Sequence, residues 1–258
     1  MIIKPDLVSL STHQILLYNS EADAMLATGT AFSYQTANNT FLITNWHNVT
    51  GKDIFTGEYL KQSGAIPDSI QIYLRRKENP LILDEIKIKL YSDISLTKKI
   101  WIEHPFYKEK VDVVAIPLHK NIIEKYLIQA INSNDFNNEI EPEISDDVFV
   151  IGYPFQSLTK YGFPIWKKGS IASEPTVKQK DLPLIYIDTA TRPGLSGSPV
   201  IYQREGIHGL VDGTLQDDTI FGRIRGFLGI YSGRLGKDEN LAQLGLIWRR
   251  TIIEEMCK

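Results

Sequence analysis

The sequence has little cysteine, no long apolar run and no excess of charge of either sign. Cys257 is the single cysteine among 258 residues, which excludes an intrachain disulfide and a thiolate metal cluster. The formal net charge is −3, and lysine and arginine are scattered along the chain. This balance argues against nucleic acid as a partner. We therefore expect a fold that is held together without covalent cross-links.

No stretch approaches the roughly 18 apolar residues of a membrane span, because runs such as FLIT and VVAIPL stop at polar residues. The N-terminal sequence also lacks the charged segment and the apolar run of a secretory signal. We expect a cytoplasmic protein with no membrane partner, although a trimmed leader would leave no trace here. Hydrophobic residues at 43% and charged residues at 23% are typical of a packed globular protein.

Short runs rich in β-branched and aromatic residues recur along the chain and are separated by turn-forming residues. Six runs fall in the first half, at 14–18, 29–34, 40–44, 69–74, 86–90 and 112–118. Six more fall in the second half, at 147–153, 166–173, 184–188, 198–203, 226–232 and 244–248. The spacing predicts an all-β fold of two antiparallel six-stranded β-barrels with a catalytic cleft between them.

The segments between these runs suggest how the chain is divided. Residues 121–131 place apolar side chains at helical spacing and predict a helix, and the final RRTIIEEMCK predicts a short C-terminal helix. The polar stretch 51–68 predicts a long surface loop. The Asn- and acid-rich stretch from 132 to 146 predicts a linker. We therefore expect one barrel half at 1–131 and a second at 147–258.

Three features of the chain meet the needs of amide hydrolysis, which are a nucleophile, a base, a group that orients the base, and donors for an oxyanion. The first is GLSGSP at 194–199, where glycines flank Ser196 in a tight turn. Such a turn can present the Ser196 hydroxyl as a nucleophile. The backbone N–H groups of Gly194 and Ser196 would then converge on the oxyanion.

The other two features supply the base and its orienting acid. FLITNWHNV delivers His47 at the end of an apolar strand, and an imidazole with a pKa near 6.5 is suited to accept a proton at neutral pH. VDVVAIP begins an apolar strand with Asp112, a carboxylate that a partner imidazole N–H would stabilise. Asp93 is the alternative acid, but no apolar run follows it.

These motifs together resemble the trypsin-like, chymotrypsin-fold serine peptidases, especially their cysteine-poor bacterial branch with the HtrA and glutamyl-endopeptidase groups. The resemblance covers most of the chain. Its motifs are GTAF at 29–32, ITNWH at 43–47, DVVA at 112–115 and GLSGSP at 194–199. The order His, Asp, Ser along the chain also matches this family and differs from the subtilisin and α/β-hydrolase orders.

The resemblance implies a cofactor-independent serine endopeptidase that acts on polypeptides, with His47, Asp112 and Ser196 as the catalytic triad. It also implies that Ser232 and Gly233 pair their backbones with the substrate, and that the floor of the specificity pocket lies near Ala190. A small or aliphatic residue on the acyl side of the cleaved bond follows from that alignment. Leu195 stands where zymogen-activated relatives have an aspartate, so activation by a freed N-terminal ammonium is not expected.

Other functions remain open at this stage. The main alternative is a catalytically silent trypsin-like fold that binds peptides or proteins. An esterase of the α/β-hydrolase type would need alternating helices and a late histidine, neither of which the sequence predicts. Regulation by a protein partner, by loop ordering or by neither also stays open.

Overall fold

The computed structural model describes residues 4–136, 140–156, 159–190, 192–235 and 243–258. Strands dominate these residues and form two antiparallel sheets, as the runs of β-forming residues predicted. The predicted all-β fold class is thereby confirmed.

The first sheet contains one strand more than the six that the sequence predicted. Its strands are β1 (Thr12–Asn19), β2 (Ala24–Gln35), β3 (Thr40–Thr44), β4 (Ser69–Arg75), β5 (Leu83–Lys89), β6 (Ile102–Glu103) and β7 (Val114–Pro117). Their order across the sheet is β5-β4-β1-β2-β3-β7-β6. The additional strand is β6, in which Ile102 and Glu103 pair with β7. Two residues are too few for a recognisable strand pattern, so no pattern in the sequence indicated this strand.

The second sheet has the six predicted strands and closes on itself. They are β8 (Asp147–Gly152), β9 (Ile165–Ile171), β10 (Leu184–Asp188), β11 (Pro199–His208), β12 (Ile220–Arg234) and β13 (Leu244–Arg249). Their order is β10-β13-β12-β11-β8-β9, and β9 pairs with β10 to complete the barrel. We call this sheet the second barrel.

The described residues contain four short α-helices. They are α1 (Leu7–Ser11), α2 (Trp46–Thr50), α3 (Lys120–Lys125) and α4 (Arg250–Met256). The C-terminal helix was predicted and is confirmed as α4. The helix predicted over 121–131 was too long, because α3 ends at Lys125 and Tyr126 is already extended. Tyr126 is buried and the N–H of Leu127 donates to the carbonyl of Arg75 at 2.8 Å, so pairing with β4 replaces further helical turns.

Buried side chains from both halves share one core. A cluster that includes Phe32, Ile43, Phe227 and Trp248 joins the first sheet to the second barrel, and the rings of Phe32 and Phe227 meet edge to face at 5.7 Å. Two further clusters lie within the first sheet and within the second barrel. The shared core fixes the two sides of the cleft relative to each other. The boundaries at 131/132 and 146/147 stay predictions.

Candidate active site

His47 lies in the single helical turn α2, directly after strand β3. The sequence predicted a strand end here, and the structure adds the helical turn. Asn45 precedes the turn and donates its side-chain Nδ2 to the carbonyl of Asp112 at 2.7 Å. Gly51 ends it in the left-handed conformation, with its N–H on the His47 carbonyl at 3.0 Å. The backbone of His47 is therefore held at both ends while its side chain stays 17% exposed.

Asp112 is fully buried and its carboxylate is bonded to His47 twice. Oδ1 accepts the backbone N–H of His47 at 2.8 Å, and Oδ2 lies 2.7 Å from the ring Nδ1. The Ser232 hydroxyl also donates to Oδ2. These bonds offset the cost of burying the carboxylate and fix the orientation of the imidazole.

Asp93, the alternative acid, lies in an exposed loop of the first sheet. Its carboxylate accepts backbone N–H groups of Thr97 and Lys98, together with nearby hydroxyl groups. These hydrogen bonds lower the pKa of Asp93 to about 2. Its hydrogen bonds among the described residues are all made within its own loop. Asp112, and not Asp93, is therefore the acid that is hydrogen-bonded to His47.

The environment of His47 shifts the pKa of its imidazole upward. Burial acts to lower this pKa, but the charge of Asp112, its hydrogen bond to the ring and the charge of Asp53 together outweigh burial. The pKa of His47 therefore lies above its ordinary value of 6.5. A base of this kind is protonated more readily than free imidazole.

Ser196 lies in the turn before β11 and lines the same cavity as His47. Its hydroxyl donates to the carbonyl of Ser232 at 3.3 Å. Within the described part of the chain, no hydrogen bond joins Ser196 to His47. Hydrogen bonds between catalytic side chains often form or tighten only in the complex with substrate.

The peptide between Pro193 and Gly194 has a defined orientation. The Pro193 carbonyl accepts the N–H of Phe155 at 2.9 Å. Because a trans peptide directs its C=O and its N–H to opposite sides, the N–H of Gly194 points away from Phe155. Gly194 has φ +96°, and a Cβ there would lie 2.4 Å from the Tyr153 carbonyl oxygen. Only glycine fits this turn.

The next N–H group is oriented in the same way. The Leu195 carbonyl accepts the N–H of Ser198 at 3.0 Å, so the N–H of Ser196 points to the opposite side of that peptide. Among the hydrogen bonds of the described residues, the N–H groups of Gly194 and Ser196 donate to no acceptor. The glycine-flanked motif predicted these two N–H groups as oxyanion donors, and that role stays a prediction.

Leu195 anchors the turn by packing. Its side chain is 1% exposed and belongs to the apolar cluster inside the second barrel. In place of a charged group that must be captured, the turn has an apolar side chain that is already buried.

Thr30 in β2 holds the turn from the opposite side, and sequence reasoning gave it no role of its own. Its N–H donates to the carbonyl of Ser196 at 2.8 Å, and its hydroxyl donates to the carbonyl of Gly194 at 2.8 Å. The same hydroxyl accepts the N–H of Tyr153 at 3.2 Å. The motif GTAF was the available signal, although it says nothing of these partners.

Asn48 was also missed. Its side-chain Nδ2 lies 3.0 Å from the Thr44 hydroxyl and 3.3 Å from the carbonyl of Ser196. The residue therefore links the segment that carries His47 to the turn that carries Ser196. Its position directly after His47 was the signal in the sequence.

The three residues expected to bind substrate are placed differently from one another. Ser232 touches the site twice, through its carbonyl to Ser196 and through its hydroxyl to Asp112. Gly233 follows it in β12, opposite Leu246. Ala190 is exposed and is not among the residues that line the cavity beside Ser196. The structure thus assembles His47, Asp112, Ser196, Gly194 and Ser232, and it leaves Ala190 outside that cavity.

The described residues lack two further features, a metal-binding cluster and a membrane-spanning helix. No cluster of three or more His, Cys, Asp or Glu side chains in this part of the chain could hold a metal ion. Nor does any helix in the same residues have the length and apolar character needed to cross a membrane.

No protein-family model matches the sequence, and no curated protein matches it by sequence similarity. Solved structures do match. The HtrA-type protease AlgW, solved with a tripeptide, gives a TM-score of 0.54 at 13% identity, over 98% of this chain and 64% of AlgW. The serine endoprotease of Yersinia pestis gives 0.50 at 12% identity, over 99% of this chain and 68% of that protein. Identities this low support the fold alone. The chain therefore has the fold of the trypsin-like and HtrA-type serine proteases.

Proposed function

We propose that this chain is a serine endopeptidase that hydrolyses peptide bonds through an acyl-enzyme intermediate. One observation carries the proposal. The buried Asp112 carboxylate lies 2.7 Å from Nδ1 of His47, and His47 lines the same cavity as Ser196. The neighbours of the same fold are serine proteases. No metal or organic cofactor takes part in this mechanism.

In the first half of the reaction, the Ser196 hydroxyl turns from the Ser232 carbonyl toward Nε2 of His47 and gives up its proton there. Oγ attacks the substrate carbonyl carbon, and the carbonyl oxygen becomes an oxyanion that accepts the N–H groups of Gly194 and Ser196. Asp112 stabilises the imidazolium that forms. His47 then passes its proton to the leaving nitrogen, the C–N bond breaks, and an ester to Ser196 remains.

In the second half, water takes the place of the leaving amine. His47 accepts a proton from that water, and the resulting hydroxide attacks the ester carbonyl. The same two N–H groups stabilise the second oxyanion. Collapse of this intermediate releases the carboxylic acid, and the proton returns from His47 to the Ser196 oxygen.

Substrate binding follows from the strand that borders Ser196. In this proposal an extended polypeptide adds to β12 along Ser232 and Gly233, so that main-chain hydrogen bonds supply affinity and side-chain pockets supply selectivity. A Cβ at Gly233 would meet nothing within 4 Å, which leaves room for a substrate backbone there. Ala190 as the pocket floor stays a prediction.

Cleavage of a peptide library by purified protein tests the proposal. Wild-type protein should cut internal peptide bonds, and kcat should fall on the order of 10⁶-fold in Ser196→Ala and in His47→Ala. Activity that survives both substitutions would contradict the assignment and point to a contaminating protease.

A peptide-binding module without turnover is the second candidate function. The observation that favours it is the Ser196 hydroxyl, which is bonded to the Ser232 carbonyl and not to His47. Measurable peptide binding with no turnover, in protein whose Ser196 fails to react with a fluorophosphonate, would favour this second function over the first.

A further inference from the structure

A cavity of about 190 Å³ opens beside Ser196 and His47. Ser232 and Gly233, the residues proposed to hold the acyl part of the substrate, are not among its lining residues in the described chain. The wall of the cavity is mostly apolar. Its apolar members come from β1, from β2, from the loop 51–68 and from the turn before Ser196, and they include Leu17, Leu26, Ala27, Leu60, Ala65, Pro67 and Pro193.

The size and charge of the cavity select a class of side chain. An apolar cavity of about 150 Å³ is large enough for benzene, so this one can take a single leucine-sized or phenyl-sized group. Lys61 and His47 are the lining residues able to carry charge, and no carboxylate lies among those described. A lysine or arginine side chain would therefore find no partner here, whereas an apolar one would bury its surface.

Hydrogen bonds to the backbone hold the part of the cavity wall that the loop 51–68 forms. The N–H of Leu60 donates to the carbonyl of Gly51 at 2.8 Å, and Asn19 Nδ2 donates to the carbonyl of Ile66 at 3.0 Å. Gly51 has φ +67°, and a Cβ there would lie 3.3 Å from the Ala65 carbonyl oxygen. Because the wall is already ordered, little conformational entropy of the loop would be lost when a substrate side chain enters.

The reaction geometry determines which residue of the substrate reaches the cavity. The acyl carbonyl sits on the N–H groups of Gly194 and Ser196, and the leaving nitrogen must face His47, which protonates it. Gly194, Ser196 and His47 all line the cavity. The residue on the leaving side of the scissile bond therefore projects toward it.

From this geometry we propose that the cavity binds the side chain of the residue directly after the cleaved bond, and that it selects an apolar side chain of leucine size. The inference rests on the proposed peptidase function. It adds a specificity determinant built by the loop 51–68 and β2, separate from the pocket on the acyl side.

Three peptides that share one acyl-side sequence test the inference. They carry Leu, Gly or Lys directly after the scissile bond, and kcat/KM is measured for each. We expect Leu to exceed Gly by about tenfold or more, with Lys no better than Gly. Equal values for Leu and Gly, or a preference for Lys, would overturn the inference.

Substitutions assign the preference to the cavity. Ala65→Phe should fill it and bring the Leu/Gly ratio of kcat/KM toward one. The matched control Ala37→Phe, at an exposed position in the turn between β2 and β3, should keep the wild-type ratio. If Ala65→Phe does not fold, Leu60→Asp at a 54% exposed position should raise Lys relative to Leu. Unchanged ratios in the folded cavity variants would reject the cavity as the source.

Fluorophosphonate labelling of the same samples separates this inference from the function on which it rests. A small fluorophosphonate reacts with an activated serine and has no residue on the leaving side. Labelled Ser196 without a Leu preference overturns the inference and leaves the peptidase proposal standing. If neither labelling nor cleavage is detected, the proposed peptidase function is contradicted, and so is the inference that rests on it.

Discussion

On the first-sheet side of the cleft, the carboxylate of Asp112 accepts hydrogen bonds from the His47 N–H, the His47 ring and the Ser232 hydroxyl. On the barrel side, the Ser196 hydroxyl donates to the Ser232 carbonyl at 3.3 Å, and among the described residues it has no hydrogen bond to the imidazole. The proposed acid and base are thus already hydrogen-bonded to each other, whereas the proposed nucleophile is hydrogen-bonded to a different residue. The difference indicates that several hydrogen bonds fix the buried carboxylate and the imidazole, whereas one hydrogen bond holds the part-buried Ser196 hydroxyl.

After the losses expected for Ser196→Ala and His47→Ala, the next largest effect is expected at the carboxylate that holds the imidazole. Asp112→Asn would place an amide N–H or a weaker acceptor against the His47 ring and favour the wrong tautomer, so kcat/KM should fall on the order of 10⁴-fold. Steady-state kinetics on a peptide substrate measure this. Asp93→Asn is the matched control and should retain wild-type kinetics, because its carboxylate is bonded only within its own loop among the described residues. A similar loss in both variants would mean that Asp112 has no special role.

A smaller loss of activity is expected when the turn that carries Ser196 is held less firmly. Thr30→Val keeps the shape of the side chain but removes the hydroxyl that holds the Gly194 carbonyl and accepts the Tyr153 N–H. If the Gly194 N–H loses its direction, kcat should fall on the order of 10²-fold, as when one oxyanion donor is removed, while KM changes little.

The control for this substitution is Thr176→Val, at an exposed position, which should leave kcat and KM alone. Thermal unfolding of both variants checks that the proteins are folded at the assay temperature. A Thr30→Val protein that is folded and fully active would show that this hydroxyl does not direct the turn.

The pH profile tests the electrostatics of the prearranged pair. Because the pKa of His47 is raised and the proposed base must be neutral, the acid limb of kcat/KM should have its midpoint above pH 6.5. The charge of Asp53 contributes to this shift, so Asp53→Asn should move the midpoint down. The side-chain oxygen of Asn can still accept the Phe55 and Thr56 N–H groups that Asp53 accepts now.

Asp217→Asn removes the same charge at an exposed position in the turn between β11 and β12 and should leave the midpoint in place. A midpoint that is unchanged in Asp53→Asn would contradict the assigned cause.

The raised pKa of His47 also affects the stability of the fold, with a defined sign. The stabilisation that protonated His47 contributes is fully present below pH 6.5 and is lost as the pH rises through the folded-state pKa.

The smallest effect is expected on the free energy of unfolding when Ser198, in the turn that carries Ser196, is replaced. The Ser198 hydroxyl is buried and has no hydrogen-bond partner among the residues that the structure describes, so Ser198→Ala should leave the free energy of unfolding unchanged or raise it by up to about 1–3 kcal/mol. Ser9→Ala is the contrast, because Ser9 accepts the Trp166 ring N–H at 2.8 Å, and it should cost about 1 kcal/mol. Urea denaturation measures both, and an equal loss in the two variants would contradict the account.

The sequence predicted what depends on local pattern, and it missed what depends on contacts between distant segments. Runs rich in β-forming residues predicted twelve of the strands, and GLSGSP predicted a tight glycine-flanked turn at Ser196. The helix over 121–131 was overextended because the pairing of Leu127 with Arg75 is invisible in a local pattern. The role of Thr30 was missed for the same reason, since its partner Gly194 is 164 residues away. Ala190 depended on an alignment in which a slip of one residue changes the pocket.

The most direct test of the central claim is to locate the residue that a fluorophosphonate modifies. The account predicts one phosphonyl adduct per chain, on the Ser196 oxygen after loss of fluoride, mapped by peptide mass spectrometry and absent from folded Ser196→Ala. It also predicts slower labelling in Asp112→Asn. No adduct on folded wild-type protein, or an adduct on a different residue, would contradict the assignment of Ser196 as a nucleophile activated by His47.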